Sequence, residues 1–449
     1  MLKIEYIRNA LETVVEELSA APGAYVKRPG QDFTRNRKLG LARLSRLILA
    51  MEGNSISCEL EKFFDNDKDT PTASAFVQQR GKVSPEFFHE MLLRFNDRCD
   101  DRQNYKGYRL YTVDGTYLNV AHNECADSFV AQPGTEGHNL LHINALYDIS
   151  NNTYRDCVIQ PCTKANERTG LISMLRSNRF REKSIVILDR GYQSYNVFAH
   201  FEHTPKVDFV CRVNQGLDTF RDIRNLPMEE LDTYIHPEIT TRQTKEDKRL
   251  GRILLQVPSK KRKPNPKAKY HQWDFSSPYQ MHLRVVRFRI ADHPGKTGDP
   301  ATNPENYETI VTSLDPKEFP LSEIKKLYGL RWNVETSFRA LKYAVGMVNL
   351  HAKNEDYVRQ EIYAHLIMYN FSCRIAVCAQ MEEKDGKYEY QVNLTMAVHF
   401  CRAFFLAQMD AAQTMAKIER YILPIRPGRQ DKRKMKTKTF ISFLYRVAA

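Results

Sequence analysis

The chain has 449 residues, 42% of them hydrophobic and 27% charged, a balance that fits a packed protein of two to four domains and excludes a wholly disordered one. Lys and Arg number 67 against 54 Asp and Glu, a net charge of +13 that points weakly to a polyanionic partner. No apolar run approaches the roughly 18–20 residues that span a bilayer, which excludes a helical membrane protein.

Charge punctuates Met1-Leu2-Lys3-Ile4-Glu5, so no signal-peptide core is expected. The nine cysteines are scattered and never in C-x2-C spacing, which gives neither a zinc site nor a disulfide framework. Reduced thiols in a cytoplasmic protein are the expectation.

The first hundred residues read as mainly helical. Leu39, Leu41, Leu44, Leu47, Ile48 and Met51 recur at near-helical spacing among Arg35, Arg37, Lys38, Arg43 and Arg46. Thr72–Phe95 adds a second helical stretch. Such short basic helices serve equally as a DNA-reading module or as a helical subdomain with a solvated face. From about residue 108 the texture turns to strands, at Tyr108–Val120, His142–Ile149 and Asp156–Gln160. Leu171–Phe180 predicts a helix. Ser184–Leu188 is a continuous apolar run suited to a strand buried on both faces, and Val207–Val213 is another strand. A mixed α/β core follows.

Residues 214–319 break that rhythm, with strands at Leu250–Pro258, His282–Ile290 and Tyr307–Leu314 separated by loops rich in Lys, Pro and Asn. Ser322–Val345 reads as one helix, and Asp356–Met381 and Tyr390–Tyr421 as two more. The last 33 residues hold ten Lys or Arg against two acids, so most of the net charge lies there. The basic run Arg426–Lys438 suits either DNA contact or a solvated tail.

Two acids stand where acids are costly. Asp114 lies inside a strand-like stretch and is followed by Gly115-Thr116, and Asp189 closes the apolar run Ser184–Leu188. Adjacent strands would present both carboxylates to a divalent cation such as Mg²⁺, which favours one or two carboxylates plus phosphate oxygens and water. Alternatively, one acid caps a turn and the other pairs with Arg190. Farther on, Tyr328, Arg331, Glu335 and Lys342 share one face if their stretch is a continuous helix. That stripe suits a metal-bound phosphodiester, or else a solvated face with an Arg331–Glu335 pair. Trp332 is expected to point off the stripe into the core. His122, His138 and His142 match no metal-ligand spacing.

The pattern Y-x2-R-x3-E-x6-K, met by Tyr328, Arg331, Glu335 and Lys342, resembles the signature of a large group of bacterial insertion-sequence transposases of the DDE type. Val113-Asp114-Gly115-Thr116 and Leu188-Asp189-Arg190-Gly191-Tyr192 resemble that group's first and second Asp blocks. Asp32–Leu39 and Thr72–Phe76 look like its N-terminal blocks, and Val358–Ala364 like its downstream helix. The likeness runs in order over roughly residues 33–375.

The resemblance implies a ribonuclease-H-like α/β core interrupted by a β-rich insertion, with Asp114, Asp189 and Glu335 binding Mg²⁺ (or Mn²⁺). The 145 residues between Asp189 and Glu335 leave room for such an insertion. The expected domains are a helical DNA-binding region (1–105), the first part of the core (106–213), the insertion (214–319), the second part of the core (320–380) and a helical C-terminal region with a basic tail (381–449). Tyr328, Arg331 and Lys342 would grip phosphates near the element's end, with Arg190 beside them. In some family members an inserted aromatic stacks on a flipped base, a role open to Trp273, although packing is the commoner use of Trp. Lys260, Lys261, Arg262 and Lys263 suit a phosphate-tracking loop or a solvated one.

The expected function is binding the terminal inverted repeats of an insertion sequence, cutting the DNA ends and joining the 3′-OH ends to target DNA. The partner would be double-stranded DNA, held by a homodimer in a synaptic complex and away from any membrane. A Mg²⁺-dependent nuclease without strand transfer, and a domesticated DNA-binding or regulatory protein, remain the alternatives.

Overall fold

The computed structural model describes residues 3–35, 37–99, 104–177, 179–215, 220–257, 271–292, 303–380 and 389–425. They fall into two compact units. One takes Met1–Arg102, Gly115–Ala165 and Glu335–Ala449; the other takes Gln103–Asp114 and Asn166–Val334. The longer strands are β1 (Arg109–Val120), β2 (His138–Asp148), β3 (Thr153–Pro161), β4 (Ser184–Leu188), β5 (Val207–Val213), β6 (Leu231–Ile235), β7 (Leu283–Arg289) and β8 (Tyr307–Thr312). One unit boundary falls inside β1, after Asp114, and another inside the helix Asn333–Tyr343, before Glu335.

In the second unit β1, β4 and β5 run parallel. Arg109–Val113 pair with Ser184–Leu188, which pair in turn with Val207–Cys211. Every residue of β4 is buried, as a short apolar strand covered on both faces must be. The crossover from β4 to β5 is the helix Tyr195–Glu202, whose Phe198 ring stacks on Phe209 at 4.7 Å. Parallel neighbours need such a crossover because a tight turn cannot join them. Beyond β5 the pairing becomes antiparallel: β8 lies against β5, β7 against β8 and β6 against β7.

These last strands come from residues 214–319, where a β-rich insertion was expected. Three of them extend the sheet that contains β4 and β5. A small sheet of Tyr279–Gln280, Glu238–Thr240 and Ile253–Leu254 stands apart from it. Arg284, 1% exposed, secures the extension. It meets the Asp232 carboxylate at 2.7 and 2.6 Å and donates to the carbonyls of Leu314 and Phe319 at 3.0 and 2.9 Å.

The first unit is mainly helical. Its centre is the helix Glu355–Ala376, buried on nearly every face from Val358 to Ile375. Helices Lys3–Ala20, Leu41–Ala50, Glu86–Arg98 and Leu394–Phe405 pack around it. Lys3–Ala20 turns Ile4, Ile7, Leu11, Val14, Val15 and Leu18 inward at helical spacing. The hairpin β2–β3 packs on the same central helix, where Asn370 replaces a missing strand partner. Its carboxamide accepts the Tyr154 N–H and donates to the Tyr154 carbonyl, both at 2.8 Å.

Two helical expectations are corrected. Tyr390–Tyr421 is not one helix but a strand residue run Tyr390–Val392 and two helices, Leu394–Phe405 and Ala411–Arg420. Asn393 and Asp410 cap those helices by accepting the Met396 and Gln413 N–H groups, and so restart the chain twice. Ser322–Val345 is likewise broken, into Leu321–Gly329, a 3-10 turn Leu330–Trp332 and Asn333–Tyr343.

Candidate active site

The pairing of Val113 with Leu188 is the last of the β1–β4 ladder, so the next residues, Asp114 and Asp189, stand side by side at its end. Neighbouring strands lie about 4.8 Å apart, which brings the two carboxylates within reach of a shared cation. Both residues are half-buried. They lie where β4 ends and its parallel pairing with β1 stops, although β1 itself runs on to Val120; the carboxyl end of a parallel strand is the usual place for a ligand in an α/β sheet.

The turn after Asp189 is held from several directions. The Asp189 carbonyl accepts the Tyr192 N–H at 3.0 Å, and Gln193 Oε1 accepts the Asn214 N–H at 2.8 Å. Arg168, on the first turn of Glu167–Arg176, donates from Nε to the Gly191 carbonyl at 2.9 Å. A Cβ on Gly191 would lie 3.2 Å from the Glu167 carboxylate, so the turn and this helix are already close. Burial pushes the Cys211 thiol well up, with the Asp189 carboxylate adding to the effect, and its Sγ faces the Asp189 carbonyl at 3.8 Å. Arg190 itself is exposed.

Two of the four signature residues join the acids in this unit. Arg331, 6% exposed, places Nη1 3.8 Å from Asp114 Oδ2, and its guanidinium lies 4.8 Å over the Trp332 ring. Tyr328 is buried, and its hydroxyl has no hydrogen-bond partner among the described residues. Burial, and then the Asp189 carboxylate, push its phenol up to about 12. A neutral O–H is therefore present at ordinary pH.

Glu335 and Lys342 belong to the other unit. Glu335 is exposed on the first turn of Asn333–Tyr343. Lys342 Nζ donates to Thr116 Oγ1 at 2.7 Å and to the Tyr117 carbonyl at 2.9 Å, on the stretch of β1 that follows Asp114-Gly115. Burial lowers its pKa. The same helix is fixed by Ser337, whose hydroxyl is 2.8 Å from that of Tyr154.

The expected single helical stripe is thus corrected. Gly329 weakens the helix, and the 3-10 turn that follows carries Arg331. Trp332, expected in the core, is 56% exposed, because the turn directs it away from the interior while Arg331 takes the buried position. Trp273 packs edge-on against Phe275 and Tyr279, and its indole N–H donates to the Ser276 carbonyl at 3.2 Å. Lys260, Lys261, Arg262 and Lys263, like the run Arg426–Lys438, lie outside the described residues. Sequence reasoning missed Arg168 and Glu167. Asn166, whose side chain accepts the Thr169 N–H and so caps their helix, was the available signal.

A family model described as a transposase DDE domain matches residues 105–371. The chain belongs to the DDE transposases. Among solved structures, this transposase is similar to a piggyBac transposase in a synaptic complex with hairpin DNA, seen by cryo-electron microscopy. The identity is 10% over 95% of this chain and 84% of that one, with a TM-score of 0.38, a likeness too low to place residues. No curated protein matches the sequence.

DDE transposase domains generally use divalent metal ions. No group of three or more His, Cys, Asp or Glu stands together as a metal site among the described residues. The paired carboxylates of Asp114 and Asp189 nevertheless offer the oxygen donors that a hard divalent cation takes, and the unpartnered Tyr328 hydroxyl lies within the field of Asp189. No helix among the described residues is long and apolar enough to cross a membrane.

Proposed function

We propose that this DDE transposase binds the terminal inverted repeats of a bacterial insertion sequence, cuts the DNA ends and joins the freed 3′-OH ends to target DNA. The observation that carries the reading is the β1–β4 register, which sets Asp114 beside Asp189 where the parallel pairing of the two strands ends, with Arg331 next to Asp114. The succession of parallel β1, β4 and β5, with the hairpin β2–β3 following β1 in the chain, supports a ribonuclease-H-like core.

In this reading Asp114, Asp189 and Glu335 hold Mg²⁺, for which Mn²⁺ substitutes. When bound, the metal supplies activation of the attacking hydroxyl and stabilisation of the leaving oxygen. The rest of the work falls to the protein's own groups. Arg331 holds a non-bridging oxygen of the scissile phosphate through its planar fork, and its contact with Asp114 keeps that fork aimed. The neutral Tyr328 hydroxyl donates to a second phosphate oxygen. Lys342, anchored on Thr116 and Tyr117, presents its remaining proton to a neighbouring phosphate. The transposase acts as a homodimer on two DNA ends in the cytoplasm.

The test is cleavage and joining in vitro on duplexes carrying the element's ends, with Mg²⁺, comparing the wild type with Glu335→Gln and Asp189→Asn. Nicking at the ends and joined products from the wild type alone are expected. Nicking without joining would convert the reading to a nuclease. End binding without cutting would convert it to a DNA-binding or regulatory protein.

A further inference from the structure

Six residues of the N-terminal block, Asp32, Phe33, Thr34, Arg35, Arg37 and Leu39, have no part in the chemistry above, yet they line a cavity. Arg28, Phe33, Arg35, Arg37 and Lys82 are among its walls, with Gln79 at its side. Four cations face one acid, Asp32. That acid is 5% exposed and already engaged: it accepts the Arg28 N–H at 3.0 Å and has Arg28 Nε at 4.0 Å. Arg35 and Arg37 are exposed and have no carboxylate partner among the described residues.

The cavity's geometry is built. Lys82 donates to Gln79 Oε1 at 3.1 Å and sits 5.8 Å from the centre of the Phe33 ring. Phe33 adopts φ +59, a left-handed conformation that is rare and costly for an aromatic residue. Strain of this kind persists where the surroundings hold it, often around a ligand. Backbone bonds fix the rim: Lys27 N–H to the Lys82 carbonyl at 2.9 Å, Ser84 N–H to the Tyr25 carbonyl at 2.8 Å, and Asp32 N–H to the Arg28 carbonyl at 3.0 Å.

We infer that this cavity is a phosphate seat, in which Arg35, Arg37 and Lys82 hold a phosphate group, with Phe33 as the wall behind it. The group is either a DNA backbone phosphate or a free phosphate anion, since both present the same tetrahedral oxygens to guanidinium forks. The backbone source rests on the DNA-transposase reading; the seat itself does not. A backbone phosphate held here would add affinity without sequence preference.

Two measurements on the full chain test it. The first is the salt dependence of duplex binding by fluorescence anisotropy, for the wild type, Arg35→Ala/Arg37→Ala and Arg35→Lys/Arg37→Lys. If the source is DNA, the alanine pair lowers the slope of log K against log salt by about two and weakens binding roughly tenfold, while the lysine pair keeps the slope. The second is thermal protection by inorganic phosphate at matched ionic strength without DNA, lost in the alanine pair if the source is a free anion. Either result supports the seat and names its source. An unchanged slope together with equal phosphate protection of wild type and alanine pair overturns it. Failure of the wild type to bind any duplex sinks the DNA reading and leaves the phosphate measurement to decide the seat. Circular dichroism of each variant separates lost binding from lost folding.

Discussion

Two buried arginines divide the labour of this transposase. Arg80, 1% exposed, is completely accommodated: it meets Glu361 at 2.9 Å, Gln360 at 3.2 Å and the Tyr357 carbonyl at 2.9 Å, with its guanidinium against the rings of Phe76 and Tyr357. Arg331 is nearly as buried, but it sits among the acids of the candidate site, with Nη1 3.8 Å from Asp114 and a tyrosine hydroxyl without a partner near it. A charge that meets fixed partners at short range holds the fold. Arg331, next to paired acids, has the surroundings that the proposed phosphate contact needs. Burial alone does not distinguish these roles; the chemistry of the neighbours does.

The comparison breaks most visibly at the acids. Asp114→Asn or Asp189→Asn should cost roughly a thousandfold or more in end cleavage, since a catalytic carboxylate is lost, with duplex binding and unfolding midpoint little changed. A variant that still cuts at the wild-type rate would remove these residues from the chemistry.

Glu361→Gln should do the opposite. It leaves Arg80 buried against a neutral partner and should cost about 3–5 kcal/mol of stability in denaturant unfolding, while the folded fraction keeps its activity. The pH dependence sharpens this point. Burial alone would raise the Glu361 pKa, but Arg80 and His351 outweigh it and hold the carboxyl at about 2. Its folded pKa lies below the unfolded value, so its contribution is complete above the ordinary carboxylate range and is lost as pH falls toward 2. The gap in stability between wild type and Glu361→Gln should therefore narrow on acidification; a gap constant with pH would refute the assignment.

Arg331→Lys replaces a planar fork by a point charge. Cleavage should fall by about ten- to a hundredfold with stability nearly intact, whereas Arg80→Lys should mainly lower the unfolding midpoint. The smallest effect is expected from Tyr328→Phe. Removing a buried hydroxyl that has no partner should change stability by less than about 1 kcal/mol, and in the stabilising direction, while cleavage drops severalfold. A clear loss of stability would mean the hydroxyl has a structural bond.

Local pattern made the central strands legible. Ser184–Leu188 and Val207–Val213 are strands over the ranges their apolar runs predict, and Asp114 and Asp189 drew notice because acids there are costly. What escaped was long-range. Leu283–Arg289 and Tyr307–Thr312 were recognisable and Leu231–Ile235 was not, and nothing local says that Tyr307–Thr312 pairs with Val207–Val213 across some hundred residues. The break at Leu330–Trp332 escaped because spacing assumes a uniform helix, whereas the buried seat of Arg331 is a tertiary matter. The sequence orders the N-terminal and downstream blocks along one family pattern but does not say that they touch. The structure joins them, through Arg80 at the end of Ala73–Arg80 and Gln360-Glu361 in Glu355–Ala376.

The repeated passage of the chain between its two units also sets a schedule for biosynthesis. Domains usually fold as they leave the ribosome, N-terminal first. Here helices from the first hundred residues pack around Glu355–Ala376, a partner that is complete only when more than four fifths of the 449 residues have been made. Asp114 and Asp189 are translated long before Glu335. An unfinished chain therefore carries two of the three proposed metal-binding acids without the third.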